Sequence, residues 1–133
     1  MLTQDLNTLT NRFTSRWNGT LPIVYDLAPQ EDYPDGKVSF SVVLTSSRHL
    51  YGDIFSGAKR QNGFVELNID IPDEHGDGAA IDMMEQFAAI FRNYSDGIVN
   101  CQTEYVTPKM DLKNGLIRFR ISVSFYSVRS YKS

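Results

Sequence analysis

The sequence predicts an α+β fold, in which a mostly antiparallel β-sheet carries an N-terminal helix and a central helix packed on one face. Three observations predict it. Two stretches repeat apolar residues every three or four positions, as amphipathic helices do. Four others alternate apolar and polar residues, as half-buried strands do. The chain has 133 residues and no internal repeat, so these elements are expected to form one domain over residues 1–133.

The stretch from Gly63 to Phe91 is the predicted centre of the domain. It begins as a strand with one apolar face, and Pro72 ends that strand because proline has no N–H to give to a ladder. After a short acidic loop, the pattern becomes that of a helix with a wide apolar arc, which must be covered on more than one side. We expect this helix to bury Ile81, Met84, Phe87 and Phe91 against Leu67, Ile69, Phe119 and Ile121 of the sheet.

The flanking elements follow from the same patterns. Thr3 to Trp17 is predicted to form an amphipathic helix, with Asp5 in the first turn, where the helix dipole favours an acid. The remaining predicted strands are an edge strand at Pro22–Leu27, then Val38–Thr45, Ile98–Thr107 and Leu116–Ser127. The last two are expected to form an antiparallel hairpin around a predicted loop at Pro108–Gly115, whose Asn-Gly pair favours a turn.

Charged residues alternate with apolar ones on two of these strands. Glu66 and Asp70 point away from the apolar face of the central strand, and Arg118 and Arg120 do so on the last strand. Opposite charges on neighbouring strands stabilise a sheet when they face one another. If the two strands are neighbours, the sequence therefore predicts cross-strand ion pairs rather than a general acid and base.

The segment from Ser46 to Asn62 has no clear pattern, and is predicted to be either an extended hairpin arm or a mobile loop. Long segments of this kind inside a compact domain are often functional. Basic residues and aromatic residues interleave here, which suits a protein contact and, as an alternative, nucleic-acid binding. The candidate protein-interface residues are Arg48, Tyr51, Phe55, Lys59 and Arg60.

Composition and motifs argue against several functional classes. The net charge of −3 does not suit a protein that coats nucleic acid, and no apolar run is long enough to span a membrane. The N-terminus lacks the apolar core of a secretory signal. Cys101 is the only cysteine, so it cannot form an internal disulfide, and it is expected to be a buried apolar residue rather than a nucleophile.

No pattern indicates catalysis, a cofactor or a metal. The chain has no nucleotide-binding glycine motif, no nucleophile elbow and no zinc-binding histidine pair. The loop from Asp73 to Gly78 approaches a calcium-binding frame, but position 12 of that frame is Met84, where a bidentate glutamate is needed. We therefore expect no enzyme activity, no cofactor and no metal-dependent fold.

A set of local sequences and the order of elements resemble a known family. After the first helix comes the segment TLPIVYD at Thr20–Asp26, and the basic stretch GAKRQNG at Gly57–Gly63 runs into the strand that ends at Pro72. An alanine-rich helix ending in FAAIF at Phe87–Phe91 is followed by a final hairpin. Over most of the chain this resembles the tail terminator, or tail completion, proteins of long-tailed bacteriophages.

The resemblance implies a structural virion protein without a cofactor. Such proteins form a six-membered ring that caps the tail tube, ends its polymerisation and provides the surface that joins the tail to the head. The implied partners are further copies of the chain, the tail tube protein and a head-completion or connector protein. DNA would pass through the lumen without sequence-specific binding. The implied location is the tail or neck of the virion, after assembly in the host cytoplasm.

The apolar surface of the two helices, which exceeds what one sheet readily covers, is compatible with such a ring. Other hypotheses are another neck component, such as a head-completion or tube-like protein, and a small-ligand-binding or enzymatic α+β domain. A polar pocket in a monomer would favour the ligand-binding hypothesis, and a ring with an open lumen would favour the terminator.

Overall fold

The α+β architecture is confirmed by a computed structural model, which describes residues 2–25, 35–49, 58–72, 77–112 and 115–130. The helices are α1 (Leu2–Arg16) and α2 (Asp77–Phe91). The strands are β1 (Ile23–Tyr25), β2 (Lys37–His49), β3 (Ala58–Pro72), β4 (Val99–Asp111) and β5 (Leu116–Ser130). They form a five-stranded sheet in the order β1-β2-β3-β5-β4, in which β1 and β2 are parallel and the other neighbours antiparallel.

The segment from Ser46 to Asn62, which has no clear sequence pattern, is partly a hairpin arm. This agrees with the first of the two predicted alternatives. Both of its flanks are strand, because β2 continues to His49 and β3 begins at Ala58. The two extensions pair with one another, from Ser46 opposite Asn62 to His49 opposite Lys59. Residues 50–57 lie outside the described part of the chain.

The predicted loop after Thr107 was placed too early, because β4 continues to Asp111. The predicted loop began at Pro108, because proline removes a hydrogen bond from a ladder and so commonly ends a strand. Here Pro108 lies at a shift of register between Thr107 and Met110, on a strand at the edge of the sheet. Edges and bulges are the positions in a sheet that tolerate proline.

Four phenylalanines from three elements form the centre of the core. The ring of Phe40 on β2 stacks on Phe13 of α1 at 4.3 Å between centroids, and it lies 6.3 Å from Phe87 and 6.4 Å from Phe91 of α2. Because both helices contact the same side chain of β2, they lie on the same face of the sheet. The four rings are at most 2% exposed.

The predicted core is largely confirmed, with one correction on α2. Phe87, Phe91 and all four predicted sheet partners are buried, and Met84 is half-buried against the core. Ile81, however, is 49% exposed. Ala80 lies inward in the same turn of the helix, so the direction of the inward stripe was misjudged by one residue there.

The end of α2 shows why the chain turns back to the sheet at that point. Asn93 has a φ of 57°, the left-handed conformation that commonly ends a helix and that asparagine tolerates better than most residues. Tyr94 then donates a backbone hydrogen bond to Phe91 O at 3.1 Å. The chain enters β4 within a few residues of this stop, so the first residues of β4 lie beside the end of α2.

Candidate functional site

The predicted interface residues are only partly described. Lys59 and Arg60 lie near the start of β3, and Arg48 lies in the paired end of β2, whereas Tyr51 and Phe55 are outside the described residues. Lys59 and Arg60 are successive residues of one strand, so their side chains leave opposite faces of the sheet. The structure therefore divides these two residues between two faces instead of joining them in one patch.

Arg60 is held in place on the face of the sheet opposite the helices, which we call the open face. Its guanidinium lies over the ring of Tyr126 on β5, 4.2 Å from the centroid. Its Nε donates to Asn62 Oδ1 at 3.0 Å. Tyr126 is 66 positions from Arg60 in the chain, and the pairing of β3 with β5 brings the two side chains together.

The open face also carries the predicted ion pairs, which are confirmed. Arg118 donates to both carboxylate oxygens of Asp70, at 2.7 and 2.9 Å, and these hydrogen bonds raise the pKa of Arg118. Arg120 lies 3.3 Å from Glu66 and donates to Asn68 at 2.7 Å. Asp70 is only 2% exposed, so a fixed bidentate partner compensates the loss of hydration of its charge. These groups are bound to one another, in an arrangement that stabilises the sheet.

A second buried charge joins α1 to the sheet. Asp5 is fully buried and accepts hydrogen bonds from Gln61 at 3.2 Å, from Ser127, and from Arg129 at 2.6 and 2.8 Å. Sequence reasoning placed Asp5 in the first turn for the helix dipole and missed this cluster. Nothing in the local pattern connects it to Arg129, which lies 124 positions later. The cluster fixes the start of α1 on the extended ends of β3 and β5.

The edge strand β4 carries the most exposed of the large apolar side chains in the described sheet. Tyr105, Val106 and Met110 are 58%, 62% and 47% exposed. Most of β4 is solvent-exposed along its length, unlike β3 and β5. An edge strand also presents unpaired N–H and C=O groups, which can pair with another chain. Sequence reasoning missed this surface, although the alternation of β4 is weaker than that of β5 and its apolar residues are adjacent at Tyr105 and Val106.

One open cleft lies between the link from α1 to β1 and the start of α2. Its volume is about 440 Å³. Its described lining consists of Asn18, Gly19, Thr20, Leu21, Asp35, Ile71, Ala79, Asp82, Met83 and Gln86. The titratable groups in that lining are two carboxylates, so the described lining offers no nucleophile paired with a base.

Other candidate chemistry is limited in the described part of the chain. There, no group of three or more His, Cys, Asp or Glu side chains is placed to hold a metal ion. The calcium-like loop falls mostly on residues 73–76, outside the described residues, and α2 starts at Asp77. Burial raises the pKa of the Cys101 thiol to about 12, so the thiolate needed for nucleophilic chemistry is scarce at neutral pH. No helix among the described residues is long and apolar enough to cross a membrane.

The comparisons with known proteins concern the fold. No family model matches the chain. No curated protein matches it either. A solved protein structure known only by a sequence identifier is similar to it, with a TM-score of 0.64 and 18% identity over 94% of this chain and 96% of that one. At that identity the similarity shows a shared fold, and a fold alone does not fix a function.

Proposed function

We propose that this chain is a structural subunit of a phage tail, which assembles into a six-membered ring, caps the tail tube, ends its polymerisation and joins the tail to the head. The exposed edge of β4, with Tyr105, Val106 and Met110, is the observation that carries this proposal. A surface of this kind suits contact with another protein chain better than it suits a small ligand.

The two edges of the sheet differ, which favours a ring over a two-fold dimer. One edge is formed by the long β4 and the other by the three-residue β1 and the part of β2 beyond it. Contacts between unlike surfaces are head-to-tail, and they close into rings when the rotation between subunits allows it. The number six comes from the resemblance to tail terminators.

The outer side of α2 supplies further apolar surface for such contacts. Ile81 is 49% exposed, and Ala79 and Ala89 are also on the exposed side of the helix. This agrees with the apolar arc of α2 being wider than one sheet covers. A neighbouring subunit or the tube would bury part of this surface.

We assign the β2–β3 hairpin to the contact with the tube or with the adjacent subunit. Its paired end brings Arg48, Lys59 and Arg60 to one end of the sheet. Tyr51 and Phe55 belong to the connecting residues, and tyrosine and arginine are enriched where interfaces concentrate their binding energy. The opposite surface of the ring would meet a head-completion or connector protein, and the net negative subunits would let DNA pass without sequence-specific binding.

The proposal is tested by tail assembly without this chain. Phage lacking it are expected to make overlong tubes, or tails that do not join heads, when examined by electron microscopy. The wild-type chain supplied in trans should restore tail length, whereas a variant with Tyr51, Phe55 and Arg60 changed to Ala should not. Arg16→Ala, at an exposed position at the end of α1, is the control and should restore it. Tails of normal length joined to heads in the complete absence of the chain would refute the terminator function.

A further inference from the structure

Among the described strands, β1 covers only one half of the outer edge of β2. β1 pairs with β2 at Val38, Ser39 and Phe40. From Ser41 to His49, no other strand among the described residues lies on the outer side of β2, while β3 pairs with its inner side. Thr45, Ser46 and Ser47 are exposed there. This half of the edge is therefore available, within the described chain, to a strand from outside.

On the β4 edge, the half that no described element covers lies toward the opposite end of the sheet. The start of β4 is covered by the turn that precedes it, since Cys101 N donates to Tyr94 O at 2.9 Å and Ser95 forms a bridge with Asn100. From Gln102 to Asp111, no described strand lies on its outer side. Because β2 and β4 run in opposite directions, the covered starts of the two strands lie at opposite ends of the sheet.

We infer that β4 of one copy pairs antiparallel with the free half of β2 in the next copy, so that one sheet continues from subunit to subunit; this rests on the ring of the proposed function. The strand directions permit it. The four long strands alternate in direction across the sheet, in the order β2, β3, β5, β4. A neighbour related by rotation, with its sheet in the same orientation, presents β2 antiparallel to β4 and preserves the alternation.

The covered halves also require the neighbours to be staggered. Tyr105 is level with Ser41 across the sheet, through Ser122 and Glu66. From this level, the free part of β4 extends mainly toward the end of the sheet that holds Asp111. The free part of β2 extends toward the opposite end, which holds His49. The two free edges coincide only if the next copy is displaced along the strands by about five residues, or ~17 Å at the usual rise per residue.

That displacement is of the size that closure needs. Four strands at the usual spacing span about 19 Å, so a shift of ~17 Å per subunit tilts the strands by about 40° from the ring axis. Closed sheets have tilts of roughly 35–45°. The turn before β4 and the short strand β1 therefore block the unstaggered pairing and leave open a pairing whose stagger suits a closed ring.

The pairing also covers the exposed apolar side chains of β4. Between its two register shifts, β4 has a regular run from Glu104 to Thr107, which includes Tyr105 and Val106. Register shifts and the nearby Pro108 limit pairing along edge strands. The intermolecular ladder is accordingly short and is centred on this run.

Disulfide cross-linking tests the inference. In a Cys101→Ser background, Ser47→Cys is combined with Val106→Cys or with Glu104→Cys. All three residues lie on the helix side of the sheet, since they are level with Gln61, Ile121 and Val123. Ser47 lies opposite Val106 if the neighbouring copy is displaced by about six residues, and opposite Glu104 if it is displaced by about four. These are the even displacements nearest five, and only an even displacement keeps each side chain on its own face of the sheet. Mild oxidation with diamide should give a ladder of covalent oligomers for at least one pair on a denaturing gel.

The control combines Ser47→Cys with Tyr105→Cys, whose side chain leaves the open face next to Ser122. Its cysteines lie on opposite faces in either register, so its cross-linking should be at least tenfold weaker. Native mass spectrometry of the same samples detects the ring itself, and so separates the proposal of a ring from the proposal that β4 pairs with β2. Rings without cross-links for either pair, or with equal cross-linking of the control, would overturn the strand pairing and leave the ring intact. A lack of cross-links at the highest soluble concentration would also contradict the pairing, whatever the outcome of the tail-assembly experiment.

Discussion

Asp5 stabilises the fold through partners on two strands, and its burial determines how much it contributes. Its carboxylate is fully buried and bonded to Gln61, Ser127 and Arg129, and the Arg129 side chain is 12% exposed. A charge in such surroundings is tolerated only when it is paired and hydrogen-bonded. The pair is therefore sensitive to the loss of either partner, and α1 depends on it for its attachment to the end of the sheet.

Changing Asp5 to Asn should lower the free energy of unfolding by about 3 kcal/mol, because the charge of Arg129 would stay in the protein without its partner. Urea unfolding followed by circular dichroism measures this. The control is Lys109→Gln, which breaks an ion pair with Asp77 in which both side chains are 52% exposed, and it should leave the unfolding midpoint unchanged. Equal effects of the two substitutions would contradict the proposed role of Asp5.

Cys101 should be chemically inert in the folded protein. Desolvation raises its pKa to about 12, and the raised value means that the reactive thiolate forms only in strong alkali. At pH 8, reaction with an aromatic disulfide reagent should be ~100-fold slower in the native protein than in the urea-unfolded chain, where the pKa returns to about 8.5. Equal rates in the two states would show that the thiol is not shielded.

For the helices and strands, the sequence predicts the elements that depend on local periodicity better than those that depend on pairing with distant residues. The helical spacing of α1 and α2 and the alternation of β3 and β5 are local, so the pattern predicts these elements well. The end of β2 and the start of β3 are extended because they pair with each other. The start of β3 also pairs with β5. The contacts that stabilise those ends join residues far apart in the chain, and a local pattern does not contain them.

The exposed edge of β4 also could not be predicted from a local pattern. The edge of β4 is visible only when the order of strands is known, because the sequence pattern does not say which strand lies outermost. Likewise, Lys59 and Arg60 are adjacent candidate residues in the sequence, and the pleat of β3 directs their side chains to opposite faces. Glu66 and Asp70 were paired correctly with Arg118 and Arg120 because alternation places all four on one face of neighbouring strands.

The packing of α2 predicts unequal effects for two of its apolar residues. Phe91 is fully buried among aromatic rings, so Phe91→Ala should lower the free energy of unfolding by about 3–5 kcal/mol. Ile81 is 49% exposed on the same helix, and Ile81→Ala should change it by about 0.5 kcal/mol or less. Chemical unfolding of the two variants measures both values. A loss at Phe91 as small as that at Ile81 would mean that the inward face of α2 is wrongly assigned.

Across the described part of the whole molecule, the exposed apolar side chains lie mainly along the edge strand β4 and on the outer side of α2. The described core is closed by aromatic packing, and the buried charges are paired. In the proposed ring, head-to-tail contact with further copies would cover the exposed apolar residues of β4 and would use the unlike edges of the sheet. The ring that we propose from these contacts would end the growth of a tail tube.

Titration of growing tubes with the chain tests whether it caps them. Purified tube protein of the same phage is allowed to polymerise, and tube length is measured by electron microscopy as the chain is added in increasing amounts. Capping predicts that growth stops at a sharp breakpoint near six copies per growing tube end, the stoichiometry implied by the tail-terminator resemblance. Tubes that grow equally long with a large excess of the chain would show that it does not cap them.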